Sequence, residues 1–310
     1  MKPLRIGTRG SKLALWQAEH IRERLERDRG VSTEIVIIKT SGDKFDSAAV
    51  AAIGGKGIFI KEIEEALLSG SVDLAVHSMK DVPTETPRGL AFPAITERED
   101  PRDCLVSHRG ETLEKLPRNA CIGTSSLRRQ SQLRHFRADL GVADLRGNVD
   151  TRLRKVDEGG FDAIVVAKAG LDRLGFGEKI TEVISPEIIL PAVGQGALAI
   201  ETREDSASLI EMLAAFDHPP TRAATTAERA LLAELEGGCQ VPLGAWARME
   251  NGSLQIEARV LAADGSECIE RRANGSADDA EEIGRRLARE LLDAGADRLL
   301  RLAGRSVSGS

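Results

Sequence analysis

The fold is decided by the stretch Leu4-Arg5-Ile6-Gly7-Thr8-Arg9-Gly10-Ser11 and by the apolar residues that follow it. Its first five residues form a short apolar run that predicts a buried strand. Ala14, Ala18, Ile21 and Leu25 then recur at the spacing of one helix face. A strand, a polar turn and a helix in that order are typical of an α/β domain with a parallel sheet.

Arg9 and Ser11 lie where the first predicted strand ends and the first helix begins. Ligands of such sheets bind outside the carboxyl ends of the strands, and a helix N-terminus favours an anion. This placement predicts an anion site. The alternative is that Ser11 only caps the helix beside a solvated arginine, and the sequence leaves both possibilities open.

The same alternation continues along the chain and predicts further α/β units. The predicted strands cover residues 34–39, 72–76, 104–107, 120–123, 142–145 and 161–167. The charged residues 97–103 are a candidate crossover between two units. Residues 190–200, which contain a proline and glycines, are a candidate return crossover.

The segment after His218-Pro219-Pro220 has a different order of elements. A predicted helix at 221–235 precedes three strand-like pieces, at 245–249, 254–262 and 267–272, and a closing helix at 280–294. Strands followed by a helix that covers one face predict an α+β module.

The composition is that of a globular protein with aliphatic cores. The chain has 310 residues, 41% of them hydrophobic and 30% charged, which favours two or three domains. No apolar run approaches the roughly 20 residues of a membrane span, and no signal-peptide h-region is visible. We therefore expect a cytoplasmic protein without a membrane partner. The net charge of −6 argues against a nucleic-acid partner.

The cysteines Cys104, Cys121, Cys239 and Cys268 are widely spaced and form no CxxC pair. The five histidines are too few and too scattered to complete a zinc site. We expect reduced thiols and no metal.

Cys239 lies in the stretch Glu236 to Gly244, after a predicted helix that Gly237 and Gly238 would end. Pro242 prevents the helix from resuming, which leaves the thiol on a turn that a large reactant could reach. The alternative is a small apolar residue packed under the turn, which is the commoner environment of a free cysteine.

Basic residues concentrate at the predicted strand ends of the second α/β unit. Thr124, Ser125 and Ser126 follow a strand and open a helix that begins Leu127-Arg128-Arg129. Hydroxyl groups, free N–H groups at a helix start and guanidinium groups each favour an anion. With further arginines nearby they predict a ligand with several negative charges, the alternative being a capped helix with a basic outer face. Those further arginines are Arg146, Arg152 and Arg173.

Two more segments are candidates for ligand contact. Lys56, in the glycine-rich loop 42–57, could belong to a lid over an anion, although the GxxxxGK[ST] spacing of a P-loop is absent. Lys80 and Asp81 follow the predicted strand 72–76, and in an extended segment their side chains would diverge. The lysine could pair with carboxylates and the aspartate could stabilise a developing cation. The alternative is a surface turn before a proline.

Long motifs in one order give the chain a resemblance to the porphobilinogen deaminase family, also called hydroxymethylbilane synthase. The motifs cover nearly the whole chain, and so many in one order are very unlikely by chance. They are Arg9-Gly10-Ser11, Gly54-Gly55-Lys56-Gly57, Val76 to Pro83, Glu97 to Asp103, Gly123 to Gln130, Leu145 to Val149, Pro191 to Gly196 and Glu236 to Pro242.

The resemblance implies three domains. Two of them, at 1–97 with 196–217 and at 98–195, are doubly wound α/β domains like those of type II periplasmic binding proteins, with the active cleft between them. The third, at 218–310, is a smaller α+β domain that carries the cysteine. The family leads us to expect a monomer.

The resemblance also implies the chemistry. In the family, the cysteine matched by Cys239 is bonded through its sulfur to a dipyrromethane cofactor, which the enzyme makes from two substrate molecules. This transferase of tetrapyrrole and heme biosynthesis adds four porphobilinogens head to tail, loses ammonia each time and releases linear hydroxymethylbilane by hydrolysis. Every pyrrole carries an acetate and a propionate, so the growing chain is a polycarboxylate that suits an arginine cluster.

Residue roles follow from the same resemblance. Asp81 would contact pyrrole nitrogens and stabilise the cationic azafulvene formed on deamination. The expected cofactor contacts are Cys239, Lys80, Asp81, Thr124, Ser125, Ser126, Arg128, Arg129 and Arg146. The expected substrate contacts are Arg9, Ser11, Arg152, Arg173 and Gln195, and the expected lid residues are Lys56 and Phe59.

A few positions match no motif of the family. Lys168 stands where a small or apolar residue is expected, and it could add a carboxylate contact. Cys104, Cys121 and Cys268 match no family function, and a place in the core is predicted for each.

Two other functions compete with this interpretation. A binding protein or sensor on the same two-domain scaffold would perform no chemistry, and Cys239, which such a receptor does not need, is what separates it from the enzyme. A hydrolase that uses Ser78 or His77 is weaker, because the GxSxG elbow is absent and the sequence places no partner acid.

Overall fold

The computed structural model describes residues 2–40, 60–235 and 241–308, which fall into two compact units. The first unit is Met1–Arg98 with Ala197–Arg222, and the second is Glu99–Gly196 with Ala223–Ser310. Each unit is therefore assembled from two segments that are distant in sequence. Within these described ranges, no helix has both the length and the apolar character that crossing a bilayer requires.

The secondary structure alternates as expected through the first two thirds of the chain. The strands are β1 (Leu4–Thr8), β2 (Thr33–Ile37), β3 (Leu74–Ser78), β4 (Leu90–Ile95), β5 (Asp103–Ser107), β6 (Cys121–Gly123), β7 (Gly141–Ala143), β8 (Ala163–Ala167), β9 (Glu182–Val183), β10 (Leu198–Arg203), β11 (Leu243–Glu250), β12 (Ser253–Leu261) and β13 (Cys268–Gly275). The helices are α1 (Lys12–Arg29), α2 (Lys61–Leu68), α3 (Leu127–Phe136), α4 (Val149–Asp157), α5 (Lys168–Arg173), α6 (Ala207–Ala214), α7 (Pro219–Glu234), α8 (Ala280–Asp293) and α9 (Ala296–Ser308).

Four of these elements were not predicted from the sequence, and one of them is the six-residue helix α5. Strand β4 contains Pro93, which sequence patterns take as a strand breaker and which β4 tolerates because it is an edge strand. Strand β9 has only two residues, too few to show a periodic pattern. Helix α9 begins directly after Gly295, where the closing helix was expected to end the fold.

The two five-stranded sheets have the same pattern of strand directions. The strand order is β2-β1-β3-β10-β4 in the first unit and β7-β6-β8-β5-β9 in the second. In each sheet the first three strands of this order are parallel, and the fourth is antiparallel to both of its neighbours. The predicted α/β class, with two doubly wound sheets and a smaller α+β module, is confirmed by these strand orders and by the separate three-stranded sheet of β11 to β13.

Apolar side chains cover both faces of the first sheet. On one face, Ile6 and Ile200 pack with Ile21 of α1. On the other, Ala75 packs with Ile63 and Leu67 of α2. The second sheet is covered in the same way, because separate apolar clusters lie on its two sides. Helices on both faces leave the carboxyl ends of the parallel strands as the open edge of each sheet.

Helix α1 begins at the predicted cap. The Ala14 N–H donates to Ser11 Oγ at 3.3 Å. The helix ends at Gly30, whose φ of 63° lies in the left-handed region and whose N–H donates to the Glu26 carbonyl. This confirms that Ser11 is an N-cap. A role in ligand binding stays a prediction.

The C-terminal module is an antiparallel sheet in the order β11-β12-β13, and α7, α8 and α9 pack against it. It meets the rest of the second unit closely at Gly244. A Cβ atom there would lie 2.8 Å from the Leu190 carbonyl oxygen, so only glycine permits this approach.

Candidate active site

Lys80 and Asp81 lie just beyond the carboxyl end of β3, in a single 3₁₀ turn at Met79–Asp81. We expected an extended segment here, and that local prediction is wrong. The Met79 N–H donates to the Ala197 carbonyl at 3.0 Å, and Met79 is buried, which pulls the chain into a turn. The Asp81 side chain is exposed, so its carboxylate is available to a ligand.

A pocket in the first unit brings Asp81 together with the start of α1. Arg9, Ser11 and Asp81, which come from two separate motifs, all line it. Gln17 also lines it and donates from Nε2 to Ser78 Oγ at 2.8 Å. The structure thus gathers three of the predicted site residues at the strand ends of the first sheet.

His77 lines the same pocket, and its partner is an acid that we did not identify from the sequence. His77 Nε2 and Glu201 Oε2 are 2.9 Å apart, and both side chains are buried. Ser78 takes a different partner, Gln17, so Ser78 and His77 do not form a nucleophile–base pair. The position of Glu201 inside the apolar run of β10 could have indicated a buried partner for it, because charged side chains are rarely buried without one.

Hydroxyl groups surround the start of α3 as predicted. Ser126 is the N-cap residue, and its side chain makes no capping hydrogen bond. Ser125 Oγ donates to the Leu145 carbonyl at 3.0 Å, and Thr124 Oγ1 accepts from the Ser126 N–H at 3.3 Å. The N–H groups of the first helical turn and the Ser126 hydroxyl are therefore the groups of this motif that can meet an anion.

Arg128 and Arg129 are buried, and both bind the carboxylate of Asp103. Arg128 NH1 lies 2.7 Å from Asp103 Oδ2, and Arg129 NH2 lies 2.7 Å from Oδ1. Gln195 Nε2 donates to the same Oδ1 at 2.9 Å. The arginines also donate to the carbonyls of Leu190 and Val165, at 2.7 and 3.1 Å.

Asp103 is the residue of this cluster that sequence reasoning missed, because it lay in the charged run taken for a crossover. Its side chain is completely buried at the first position of β5. Burial alone would raise the pKa of the Asp103 carboxyl, but the charges of Arg128 and Arg129 outweigh burial and hold this pKa well below its usual range. Asp103 is therefore ionised at neutral pH and fixes both arginines.

The other predicted arginines differ in how they are neutralised. Arg173 is buried and donates to Glu99 Oε1 at 3.0 Å and to the Gly196 carbonyl at 2.8 Å. Arg146 lies 3.9 Å from Asp144 and is partly exposed. Arg152 Nε donates to the Gly147 carbonyl at 2.8 Å. Burial and the charge of Arg129 lower the pKa of Arg152 to about 10.

Positive charge therefore exceeds negative charge beside α3. Asp103 is the carboxylate that faces Arg128 and Arg129, while Arg152 lies close enough to Arg129 to be repelled by it. Arg129 Nε is buried and has no hydrogen-bond partner in the part of the chain that the structure describes. A site with surplus guanidinium charge and an unused donor suits a ligand that carries carboxylates.

Three predicted site residues, Cys239, Lys56 and Phe59, lie outside the described residues. Lys168 is described, and its Nζ pairs with Asp172 Oδ2 at 2.5 Å along α5.

Of the remaining cysteines, Cys104 is fully buried, and burial raises its pKa to about 12. Cys121 and Cys268 are partly buried. Among residues 2–40, 60–235 and 241–308, no group of three or more His, Cys, Asp or Glu side chains is placed to hold a metal ion.

Comparisons with known proteins agree with these features. The family model "Porphobilinogen deaminase, dipyromethane cofactor binding domain" matches residues 4–211, and "Porphobilinogen deaminase, C-terminal domain" matches residues 223–293. Porphobilinogen deaminase of Nitratidesulfovibrio vulgaris (strain DSM 19637 / Miyazaki F) is 54% identical over 306 residues, which are 97% of this chain and 96% of that protein. Porphobilinogen deaminase of Chromobacterium violaceum is 51% identical over 301 residues, 97% of each chain. A solved ABC transporter periplasmic substrate-binding protein from Coxiella burnetii covers 69% of this chain and 91% of its own, with 14% identity and a TM-score of 0.43.

Proposed function

The chain belongs to the porphobilinogen deaminase family, and on that premise we propose which of its two strand-end sites holds the primer and which acts on the substrate. The family reaction is a transfer in which four porphobilinogens are deaminated and joined head to tail on a covalently bound dipyrromethane primer. Hydrolysis then releases the linear hydroxymethylbilane. What remains to be assigned is which side chains of this chain hold the primer and which act on the incoming substrate.

The site at the start of α3 is the proposed holder of the dipyrromethane. When bound, this group supplies a pyrrole end to which substrate is joined, together with several carboxylates. Cys239 is the proposed attachment point, through a thioether. The surplus positive charge beside Arg129 and the unused Arg129 Nε are the observation that carries this assignment. The proposed carboxylate contacts are Lys80, Thr124, Ser125, Ser126, Arg128, Arg129 and Arg146.

Asp81 is the proposed catalytic residue. Its carboxylate is exposed at the end of β3, on a turn that buried neighbours hold in place. A carboxylate there can accept hydrogen bonds from pyrrole N–H groups and offset the positive charge left when ammonia departs. Arg9 and Ser11 line the same pocket, which supports a role for them in binding substrate carboxylates.

Arg152, Arg173 and Gln195 are the other proposed contacts for the substrate and the elongating chain. Arg152 is the best placed of the three for direct contact, because it has no carboxylate partner among the described residues. Arg173 and Gln195 already bind Glu99 and Asp103, so we propose that they act mainly by shaping the site. Lys56 and Phe59 stay proposed lid residues.

The three domains, 1–97 with 196–217, 98–195 and 218–310, also stay a proposal. The separate C-terminal family model at 223–293 and the antiparallel sheet of β11 to β13 support the third of them. We further propose that the protein is a cytoplasmic monomer that works without nucleic-acid or membrane partners. The net charge of −6 supports the absence of a nucleic-acid partner.

The test is the intact mass of the denatured protein before and after incubation with porphobilinogen. We expect a mass excess of two linked pyrroles on the Cys239 peptide, and its loss in Cys239→Ser. Cys121→Ser is the matched control, because Cys121 is a partly buried thiol that has no proposed role, and it should keep the full mass excess. A protein that never gains mass from porphobilinogen would instead support a binding protein or sensor.

A further inference from the structure

The buried pair of His77 and Glu201 has no role in the proposed function, although His77 lines the pocket that contains Asp81. We propose that His77 is the proton acceptor of the condensation step and that Glu201 is the positioning residue that holds it. The proposal rests on the proposed function of the pocket and adds a second acting group to it.

The sheet itself creates the pair. Strands β3 and β10 are antiparallel, with His77 opposite Ala199 and Ala75 opposite Glu201. His77 and Glu201 are therefore diagonal neighbours on one face of the sheet, within reach of each other's side chains. The edge of the imidazole also packs against Phe92, with ring centroids 6.5 Å apart and planes at 71°. The ring is held from two sides, which limits its rotation.

The hydrogen bond also sets which ring nitrogen is free. A carboxylate can only accept, so the proposal assigns the proton of the 2.9 Å hydrogen bond to His77 Nε2. The neutral ring then has its lone pair on Nδ1. Nδ1 makes no hydrogen bond with the described residues, and His77 lines the pocket, so the proposal assigns the proton-accepting role to this nitrogen.

Glu201 is difficult to explain by stability alone. Its side chain is fully buried, its Oε1 has no hydrogen-bond partner in the described ranges, and His77 is its ion-pair partner. Burying a carboxylate with one oxygen unsatisfied costs free energy. That cost is offset whenever His77 becomes cationic, because the charge then lies beside a carboxylate in a medium of low dielectric constant.

Other charged groups face the pair from the neighbouring elements. Glu64 approaches from α2, and burial together with the Glu201 carboxylate raises the pKa of Glu64. Arg9 and Asp81 lie at the mouth of the same pocket. A carboxylate at the mouth and an imidazole behind it suit two different tasks, charge stabilisation by Asp81 and proton transfer by His77.

The proton balance of the reaction requires such an acceptor. When ammonia departs from the aminomethyl group, the C–N bond electrons leave with nitrogen. The acceptor pyrrole then forms a C–C bond to the methylene carbon, and the ring carbon that forms this bond must lose its proton. His77 Nδ1 takes that proton and passes it to the ammonia, which leaves as ammonium. The imidazole is neutral again before the next addition.

The test compares His77→Asn, Glu201→Gln and a control, His108→Asn, in steady-state consumption of porphobilinogen at varied substrate concentration. His108 is an exposed histidine of the second unit whose Nδ1 bonds the Val156 carbonyl, so its loss should leave turnover unchanged. We expect His77→Asn to lower kcat about 100-fold, with KM changed less than about threefold, as is typical of the loss of a general base. Glu201→Gln should lower kcat about tenfold or more, since the amide removes the charge that stabilises the protonated ring.

A second measurement does not depend on turnover, and its wild-type part does not depend on how well the variants fold. Imidazole ¹⁵N spectra of the wild-type protein should show His77 protonated on Nε2 and unprotonated on Nδ1 at pH values where the ring is neutral. Glu201→Gln should perturb this tautomer. A wild-type His77 protonated on Nδ1, or a folded His77→Asn with wild-type kcat, would overturn the proposal. Either result would leave the proposed function standing if the wild-type enzyme still consumes porphobilinogen, whereas a wild type without turnover contradicts that function itself.

Discussion

The two five-stranded sheets have the same pattern of strand directions, but the acids buried in them have different partners. Each has a buried acid on its antiparallel strand, Glu201 on β10 and Asp103 on β5. Asp103 is satisfied by two arginines and Gln195, whereas Glu201 has His77 and one unsatisfied oxygen. The arrangement of strands thus determines where a site can lie. The partners of each buried acid determine whether the site serves mainly stability or mainly proton transfer and charge stabilisation.

The difference predicts different consequences of substitution in the two sheets. Around Asp103 the charged side chains are buried and paired with one another, so their removal should lower the free energy of unfolding more than it lowers turnover. Around Asp81 and His77 the polar groups line a pocket, so their removal should affect turnover first. Four substitutions separate these cases, from the largest expected effect to the smallest.

Asp81→Asn should lower kcat about 1000-fold, because the amide keeps the shape of the side chain but cannot offset a developing cation. The thermal midpoint should stay near that of the wild type, since the Asp81 side chain is exposed. Single-turnover consumption of porphobilinogen measures the loss. Glu85→Gln, an exposed acid four residues along the chain, is the control that should keep full turnover. A folded Asp81→Asn with kcat within threefold of the wild type would refute the catalytic role.

Asp103→Asn should lower the free energy of unfolding by about 3 kcal/mol, because Arg128 and Arg129 are left buried without a counter-charge. The same pairing implies that Arg128→Leu should also destabilise the protein, because it removes one of the two counter-charges of the buried Asp103 carboxylate. Urea unfolding at pH 7 measures both variants.

The stability due to Asp103 should also depend on pH. The pKa of Asp103 is depressed in the folded state, so its contribution is complete above the unfolded value of about 4 and is lost as the pH falls below it. Asp139→Asn is the control, since its pair with Arg137 is partly exposed and screened by solvent, so its loss should change stability much less. Equal losses in Asp103→Asn and Asp139→Asn would contradict the distinction between buried and exposed acids.

Arg152→Gln should stabilise the protein by about 1 kcal/mol in a Cys239→Ser background, which lacks the attachment point for the cofactor. The folded-state pKa of about 10 lies below the usual arginine value, so the charge on Arg152 opposes folding at every pH below about 10. Arg154→Gln, an exposed arginine on the same helix α4, should change stability by less than about 0.5 kcal/mol. Destabilisation by Arg152→Gln would show that the surplus positive charge is already balanced within the protein.

Lys168→Ala should have the smallest effect. The Lys168 ammonium pairs with Asp172 along α5 near the surface, and such i,i+4 pairs contribute about 0.5 kcal/mol or less. Porphobilinogen turnover and its KM should match those of Lys179→Ala, which removes another surface pair. A raised KM in Lys168→Ala alone would support the contact with a substrate carboxylate that the sequence suggested.

The sequence by itself determined the two α/β units, the α+β module and most of their strands, because apolar periodicity and turn residues act over short stretches of chain. It also placed Arg9, Asp81 and Arg128 at strand ends, since that follows from the order of strand, turn and helix. It failed at Lys80 and Asp81, which lie in a 3₁₀ turn that the Val82 N–H closes by donating to the Met79 carbonyl.

Only the tertiary structure decided how the charged residues are paired. In the sequence Asp103 is one residue of a charged crossover, and in the structure it lies on β5 and binds both Arg128 and Arg129. In the sequence Glu201 is one residue of an apolar strand, and in the structure it forms a hydrogen bond with His77. These pairs join residues 25 to 124 positions apart, so no local pattern encodes them. Their strength comes from burial, which removes water from the charges, and burial exists only once the sheets and helices have packed.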